Sequence, residues 1–272
     1  MFSLTNILIN FLILSRHNMK SITPTIIKAV IFDLDGTLLD TETLADRAIL
    51  DAFIDPPLPK DTTLPWELKK LILGKRGSEW IPIVMKYAVD HWDVPIPTLP
   101  TEGEDEKKDT FSLSNVFIDK FWARWETRLN ELCENVQTCI GATELVEELA
   151  KRNIPMGIAT SSRKMAVDKK RIKHERIFKW MNTIVTGDDP NVAKGKPAPD
   201  IYLEAAKRMG VEPECCLVFE DAMAGVLAGK SAGCRVVAVP DPRTDKVLFE
   251  GTADVVLENL SHFDFKIIDA DI

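Results

Sequence analysis

Two acid pairs, each closing an apolar run, are the residues best suited to chemistry. The first lies in Ile31-Phe32-Asp33-Leu34-Asp35-Gly36-Thr37 and the second in Phe219-Glu220-Asp221. Carboxylates this close repel one another unless a cation or a phosphoryl group shares the site. Oxygen donors of this kind suit Mg2+, a hard cation. Gly36 lets the chain turn sharply after the first pair, although that pair alone also fits an ordinary Asp-Gly turn. Two further segments lie between the pairs. Gly157-Ile158-Ala159-Thr160-Ser161-Ser162-Arg163 ends an apolar run in hydroxyls. These can donate to phosphate oxygens alongside the N–H groups of a following helix, or only cap that helix. Lys194-Gly195-Lys196-Pro197-Ala198-Pro199-Asp200 presents Lys196 on a loop stiffened by prolines. There its ammonium either offsets phosphate charge or stays a solvated surface group.

The elements that must position these residues are legible in the apolar pattern. Short runs at 29–33, 156–160, 183–186, 216–220 and 235–239 predict buried strands, with 254–257 as a sixth at an edge. Helical patterns such as 142–151 and 200–209 alternate with them, and Gly210 marks a helix stop. Strands alternating with helices imply a parallel sheet covered on both faces. The fold class is therefore α/β, with a Rossmann-like, doubly wound sheet. The four chemical segments then fall in order at the ends of successive elements, with the acid pairs at carboxyl ends of strands, where open α/β sheets bind ligands. The gap between the first two strands is too long for one crossover helix. It holds helical runs at 43–54, 66–73, 78–90 and 114–132, and five of the six tryptophans. We read 41–136 as an inserted helical domain and 24–40 with 137–272 as the core. Within the insert, 94–110 is rich in proline and charge and predicts a flexible surface insertion.

The chain has 272 residues, room for one large domain or two modest ones. Its net charge of −8 argues against a general nucleic-acid binder, which needs positive charge for the phosphate backbone. The basic run Lys169-Lys170-Arg171, with Lys173 and Arg176, accordingly predicts a solvated outer helix face. The five cysteines are odd in number and form no C-x-x-C pair, which predicts reduced thiols in a cytosol-like compartment and hence a cytoplasmic protein. Residues 1–23 form an N-terminal extension. Its apolar stretch at 1–14 is too short to span a bilayer and lacks the marks of a secretory signal. It reads as a dispensable extension, with a weak anchor or targeting segment as the alternative.

The order Asp33-Leu34-Asp35-Gly36-Thr37, Thr160-Ser161, Lys196 and Glu220-Asp221 resembles the four motifs of the haloacid dehalogenase superfamily of phosphohydrolases. The resemblance covers about 28–263, including a helical cap in its expected place. It is closest to the subgroup of pseudouridine-5′-phosphatase, β-phosphoglucomutase and small sugar-phosphate phosphatases. It implies that Asp33 is a nucleophile forming an aspartyl-phosphate and that Asp35 is the general acid and base. Mg2+ would be held by Asp33, the Asp35 backbone carbonyl and Asp221, with Glu220 in support. Thr160, Ser161 and Lys196 would bind the phosphoryl oxygens. The cap would choose the substrate through Gly74 and Lys75, helped by Thr41 and by Arg163 from the core, and would swing about hinges near 38–41 and 136–141. Ile140 and Met223-Ala224 depart from the family pattern. The partner implied is a small phosphorylated metabolite, such as a sugar phosphate or pseudouridine 5′-phosphate, handled by a monomer with no nucleic acid and no stable membrane insertion. A sugar phosphomutase sharing the first half-reaction is the alternative enzyme, and a catalytically inactive binding protein is the alternative of another class.

Overall fold

Every residue of Ala29–Phe32, Met156–Ala159 and Cys216–Glu220 is buried, so these runs show no polar alternation and belong inside a sheet covered on both faces. The computed structural model describes residues 26–72, 77–95 and 113–269. In it the strands β1 (Ala29–Phe32), β2 (Met156–Ala159), β3 (Met181–Val185), β4 (Cys216–Glu220), β5 (Arg235–Ala238) and β6 (Val255–Val256) form one sheet. The order is β3-β2-β1-β4-β5-β6, and every pairing is parallel. The chain therefore builds outward from β1 on one side, then returns to lay β4 on the other. That reversal opens a crevice at the carboxyl ends of β1 and β4, the place where doubly wound sheets receive ligands.

The helices are α1 (Glu42–Asp51), α2 (Trp66–Ile72), α3 (Gly77–His91), α4 (Asn115–Cys133), α5 (Ala142–Lys151), α6 (Lys164–Arg171), α7 (Glu175–Phe178), α8 (Asp200–Met209), α9 (Met223–Ala232) and α10 (Lys266–Asp269). Alternate strand residues feed two cores. Val30, Phe32, Leu217 and Phe219 pack with Leu145, Val146 and Leu149 of α5, Val167 of α6 and Phe178 of α7. Ala29, Ile31 and Val218 pack on the other face with Tyr202 and Ala205 of α8 and Val226 of α9. A third core lies among α1–α4, where Ile49, Leu68, Trp80, Ile81, Val84 and Phe121 are buried together. Phe121 meets Phe53 and Trp80 edge-on, with centroids 5.2 and 6.0 Å away.

The segments entering and leaving this helical part run side by side. Leu39 and Thr138 form an antiparallel bridge. The Asp40 N–H donates to the Gln137 carbonyl and the Cys139 N–H to the Leu38 carbonyl, each at 2.9 Å. Helix α1 stops at Asp51, short of the 43–54 pattern. Asp55-Pro56-Pro57 follows, where proline disfavours helix before it, and Ile54 instead bridges Pro57 and is exposed. Strand β3 starts at Met181, ahead of the expected 183, and is only partly buried beside the open edge. Residues 1–25, the 73–76 loop and nearly all of the 94–110 stretch lie outside the described residues. Among the described residues, no helix is long and apolar enough to cross a membrane.

Candidate active site

Register sets the first contacts. Phe32 sits opposite Phe219 with the rings stacked at 5.0 Å, so Asp33 and Glu220 emerge side by side at the sheet's carboxyl edge. The ladder continues past the strand ends: the Asp33 N–H donates to the Phe219 carbonyl (2.9 Å) and the Thr160 N–H to that of Val185 (3.0 Å). These bonds hold Asp33 and Thr160 to the backbone of the sheet.

Lys196 enters between the two acids from its loop. Its Nζ donates to Asp33 Oδ1 at 2.5 Å, to Glu220 Oε1 at 2.6 Å and to the Ala159 carbonyl at 3.0 Å. All three ammonium protons are thus satisfied, and the side chain is only 8% exposed. Glu220, 1% exposed, also accepts from the Tyr202 hydroxyl (2.7 Å) and from the Ala222 N–H (3.1 Å). Gly225 makes room for this carboxylate, since a Cβ there would lie 1.7 Å from Glu220 Oε1.

Asp35 faces the other way. Its Oδ2 accepts from Ser162 Oγ (2.6 Å) and Thr160 Oγ1 (3.4 Å), and its Oδ1 pairs with the ammonium of Lys170. Thr160 Oγ1 in turn accepts the Ser162 N–H at 3.0 Å. Asp221 accepts from Thr37 Oγ1 at 3.0 Å and lies against Gly36, whose φ of +89° only glycine adopts without strain. A cleft of about 590 Å3 reaches Gly36 and Asp221 from the side of the paired linkers and the loop carrying Asp241 and Arg243.

The charges do not cancel. Asp35 has Lys170, and Asp33 and Glu220 share Lys196, while Asp221 accepts from the Thr37 hydroxyl. Burial pushes the Asp33 carboxyl up to about 7; Lys196 opposes this, while Glu220 and Asp35 add to it. Burial likewise holds the Asp221 carboxyl well above its ordinary value, reinforced by Glu220 and Asp33 and opposed by the Thr37 hydroxyl. For Lys196 burial acts downward, and the facing carboxylates Asp33 and Glu220 outweigh it and raise the ammonium above its ordinary value. With every carboxyl ionised the arrangement would carry two negative charges in excess, a deficit that one divalent cation would fill.

A haloacid dehalogenase-like hydrolase family model matches residues 27–233. The chain belongs to the haloacid dehalogenase-like hydrolases. Over 240 residues the hydrolase is 35% identical to (DL)-glycerol-3-phosphatase 2 of Arabidopsis thaliana, covering 86% of this chain and 88% of that one. It is 36% identical over 243 residues to a Drosophila melanogaster protein named "Probable pseudouridine-5′-phosphatase", covering 87% and 90%. Among solved structures, CbbY from Rhodobacter sphaeroides in complex with phosphate superposes with a TM-score of 0.65 at 25% identity, covering 89% of this chain and 99% of that one.

The expected residues divide into groups in the hydrolase. Asp33 and Glu220 are each bonded to Lys196, Asp35 accepts from Thr160, and Asp221 accepts from Thr37. Ser161 is exposed at the same edge, its carbonyl packed where Gly187 has no side chain. Arg163 is exposed at the start of α6 and its charge lowers the pKa of Asp188, after the larger effects of the Thr186 hydroxyl and the Lys164 N–H. Thr41 is buried at the start of α1 with no side-chain cap bond. Gly74 and Lys75 lie outside the described residues. The prediction for Lys170 is corrected: Lys169 and Arg171 are exposed, but Lys170 is 7% exposed and joins the site. It shares the inward face of buried Val167 three residues earlier, a spacing that signals the turn toward the core. Tyr202 was also missed, hidden among the apolar residues of α8.

Proposed function

We propose that the hydrolase is a Mg2+-dependent phosphatase of small phosphomonoesters, working through an aspartyl-phosphate on Asp33. The observation that carries this is the contact of Asp33 with Lys196 at the carboxyl end of β1, within an oxygen-rich site of excess negative charge. Two relatives are named as phosphatases of glycerol 3-phosphate and of pseudouridine 5′-phosphate, and a structural neighbour holds phosphate.

The donor set fits Mg2+. Among the described residues, no three His, Cys, Asp or Glu side chains are gathered to chelate a metal by themselves. Both oxygens of Glu220 and of Asp35 accept hydrogen bonds, from Lys196, Tyr202, Ala222, Lys170 and Ser162, whereas Asp33 meets Lys196 through Oδ1 alone. That leaves Asp33 and Asp221, with the Asp35 backbone carbonyl, and Mg2+ binds in this way through one or two carboxylates while keeping several waters. Glu220 then supports the site by holding Lys196. When bound, the ion supplies positive charge that lets an anionic phosphoryl group approach an anionic nucleophile.

The chain's own residues supply the rest. An Asp33 oxygen attacks phosphorus, and the bond to the leaving oxygen breaks as Asp35 gives that oxygen a proton. Lys196, Thr160 and the Ser161 N–H face the equatorial oxygens, where transition-state charge is spread. Water then attacks phosphorus, passes its proton to Asp35, and the Asp33–phosphorus bond breaks to release phosphate. The helical part closes over the crevice on its paired linkers and limits water. The test is phosphate release with Mg2+ across glycerol 3-phosphate, pseudouridine 5′-phosphate, sugar phosphates and nucleoside monophosphates. Release from at least one, and none with chelator, is expected. An isomerised sugar phosphate without release, or no turnover across the panel, would contradict it.

A further inference from the structure

Lys170 is a cation with nothing to do on the surface and one thing to do inside. Helix α6 puts Lys169 and Arg171 in water, yet turns the intervening Lys170 under the site. A buried ammonium is costly unless paired and hydrogen-bonded. The partners found for it are Asp35 Oδ1 and, at 3.3 Å, Ser162 Oγ. Ser162 closes a triangle by donating to Asp35 Oδ2 at 2.6 Å, while its N–H donates to Thr160 Oγ1. The two oxygens of Asp35 are therefore gripped separately, one by the ammonium and one by hydroxyls. A carboxylate on a single partner rotates freely about its last torsion, whereas one held at both oxygens by separate donors is restrained. Asp35 is otherwise poorly confined, for its side chain is 26% exposed at the mouth of the crevice. The grip also sits beneath the end of α4: the buried thiol of Cys133, the last residue of that helix, is raised by burial and feels both Lys170 and Asp35.

We propose that Lys170, with Ser162, is a positioning residue for Asp35, fixing its carboxyl group where it meets the bridging oxygen of the substrate and then the attacking water. This deepens the phosphatase reading and rests on it. It adds a residue from outside the matched motif segments to the proton-transfer apparatus. Neither side chain need touch the phosphoryl group, so the two should govern the proton-dependent part of the reaction and leave substrate binding alone.

The discriminating experiment measures phosphoenzyme formation by rapid quench with two substrates. One is an alkyl phosphomonoester that the wild type turns over, whose alkoxide needs a proton to leave. The other is 4-nitrophenyl phosphate, whose leaving group departs unprotonated. A misplaced catalytic group costs up to about 100-fold, so Lys170→Met should slow the alkyl reaction ~10–100-fold and the aryl reaction less than ~3-fold, with unchanged KM. Ser162→Ala should act in the same sense more weakly, and Lys170→Arg should restore much of the loss. In an Asp35→Asn background, Lys170→Met should add almost nothing, because both changes remove the same step. Equal losses on both substrates, no loss on either, or additive losses in the double variant would overturn the proposal. A wild type that forms no phosphoenzyme would instead sink the Asp33 reading, so the two failures are distinguishable.

Discussion

Gly225→Ala probes the site without touching any group that meets substrate. The added methyl would stand 1.7 Å from Glu220 Oε1 and 1.9 Å from its carboxyl carbon, so the carboxylate must move. It has nowhere easy to go, because Oε1 holds Lys196 and Tyr202, and Oε2 holds the Ala222 N–H. Alanine in a helix gains about 1 kcal/mol over glycine. Against this, overpacking costs ~1–3 kcal/mol, and each buried hydrogen bond broken to a charged group costs ~1.5–3 kcal/mol. The clash wins, with a net loss of about 2–4 kcal/mol; at about 2 °C per kcal/mol for a chain of this size, Tm falls ~4–8 °C. Lys196 loses its Glu220 tether and keeps Asp33 and the Ala159 carbonyl. A displacement of about 1 Å at a positioning group costs ~100-fold in rate, so kcat/KM should fall ~10–100-fold. Thermal melts and phosphate release measure both. A Gly225→Ala protein with wild-type Tm and wild-type kcat/KM would refute the claim that Glu220 is held where Lys196 needs it.

Other outcomes follow from the same contacts. Tyr202→Phe removes a buried 2.7 Å hydroxyl donor to Glu220 and should cost about 1.5–3 kcal/mol; a melt within about 2 °C (about 1 kcal/mol) of wild type would count against that bond. Asp33, raised to about 7 by burial, stays protonated when folded across pH ~4–7, where the unfolded chain has already lost the proton. Its contribution to apo stability therefore falls as pH rises through that window, whereas Mg2+ needs the ionised form. The rise in Tm on adding Mg2+ should be larger at pH 8 than at pH 6, and the reverse order would contradict the assignment. Arg243 reaches from the core loop to Asp46 at 3.4 Å and lies 4.8 Å over the Trp66 ring. Being 38% exposed, the contact is screened and Arg243→Ala should cost no more than about 1 kcal/mol. It should nonetheless change tryptophan emission, and that change should vanish in a Trp66→Phe background.

Much of this architecture was legible because it rests on short-range rules. Uninterrupted apolar runs ending in acids mark buried parallel strands, and β1 and β4 are such strands, with Asp33 and Asp221 following them. The long gap after β1 predicted helices, and α1–α4 lie there with a buried cluster of their own. What escaped depends on contacts across the fold. Lys170 lies in a basic run that looks solvated, and only packing of α6 on the sheet shows that it faces Asp35. Glu220 and Asp221 look equivalent in sequence, yet successive residues point to opposite sides, and one meets Lys196 while the other meets Thr37. Helix α1 ends at Asp51, and Ile54, apolar and in phase with the helical pattern, instead bridges Pro57 in the turn that follows, a local pairing that apolar periodicity does not register.

The central claim is that Asp33 takes the phosphoryl group. Radiolabelled substrate with Mg2+, quenched in acid and digested, should leave label on the peptide carrying Asp33, removable by hydroxylamine and missing from Asp33→Asn, which should also lose turnover. Label on another residue, or normal turnover by Asp33→Asn, would contradict it.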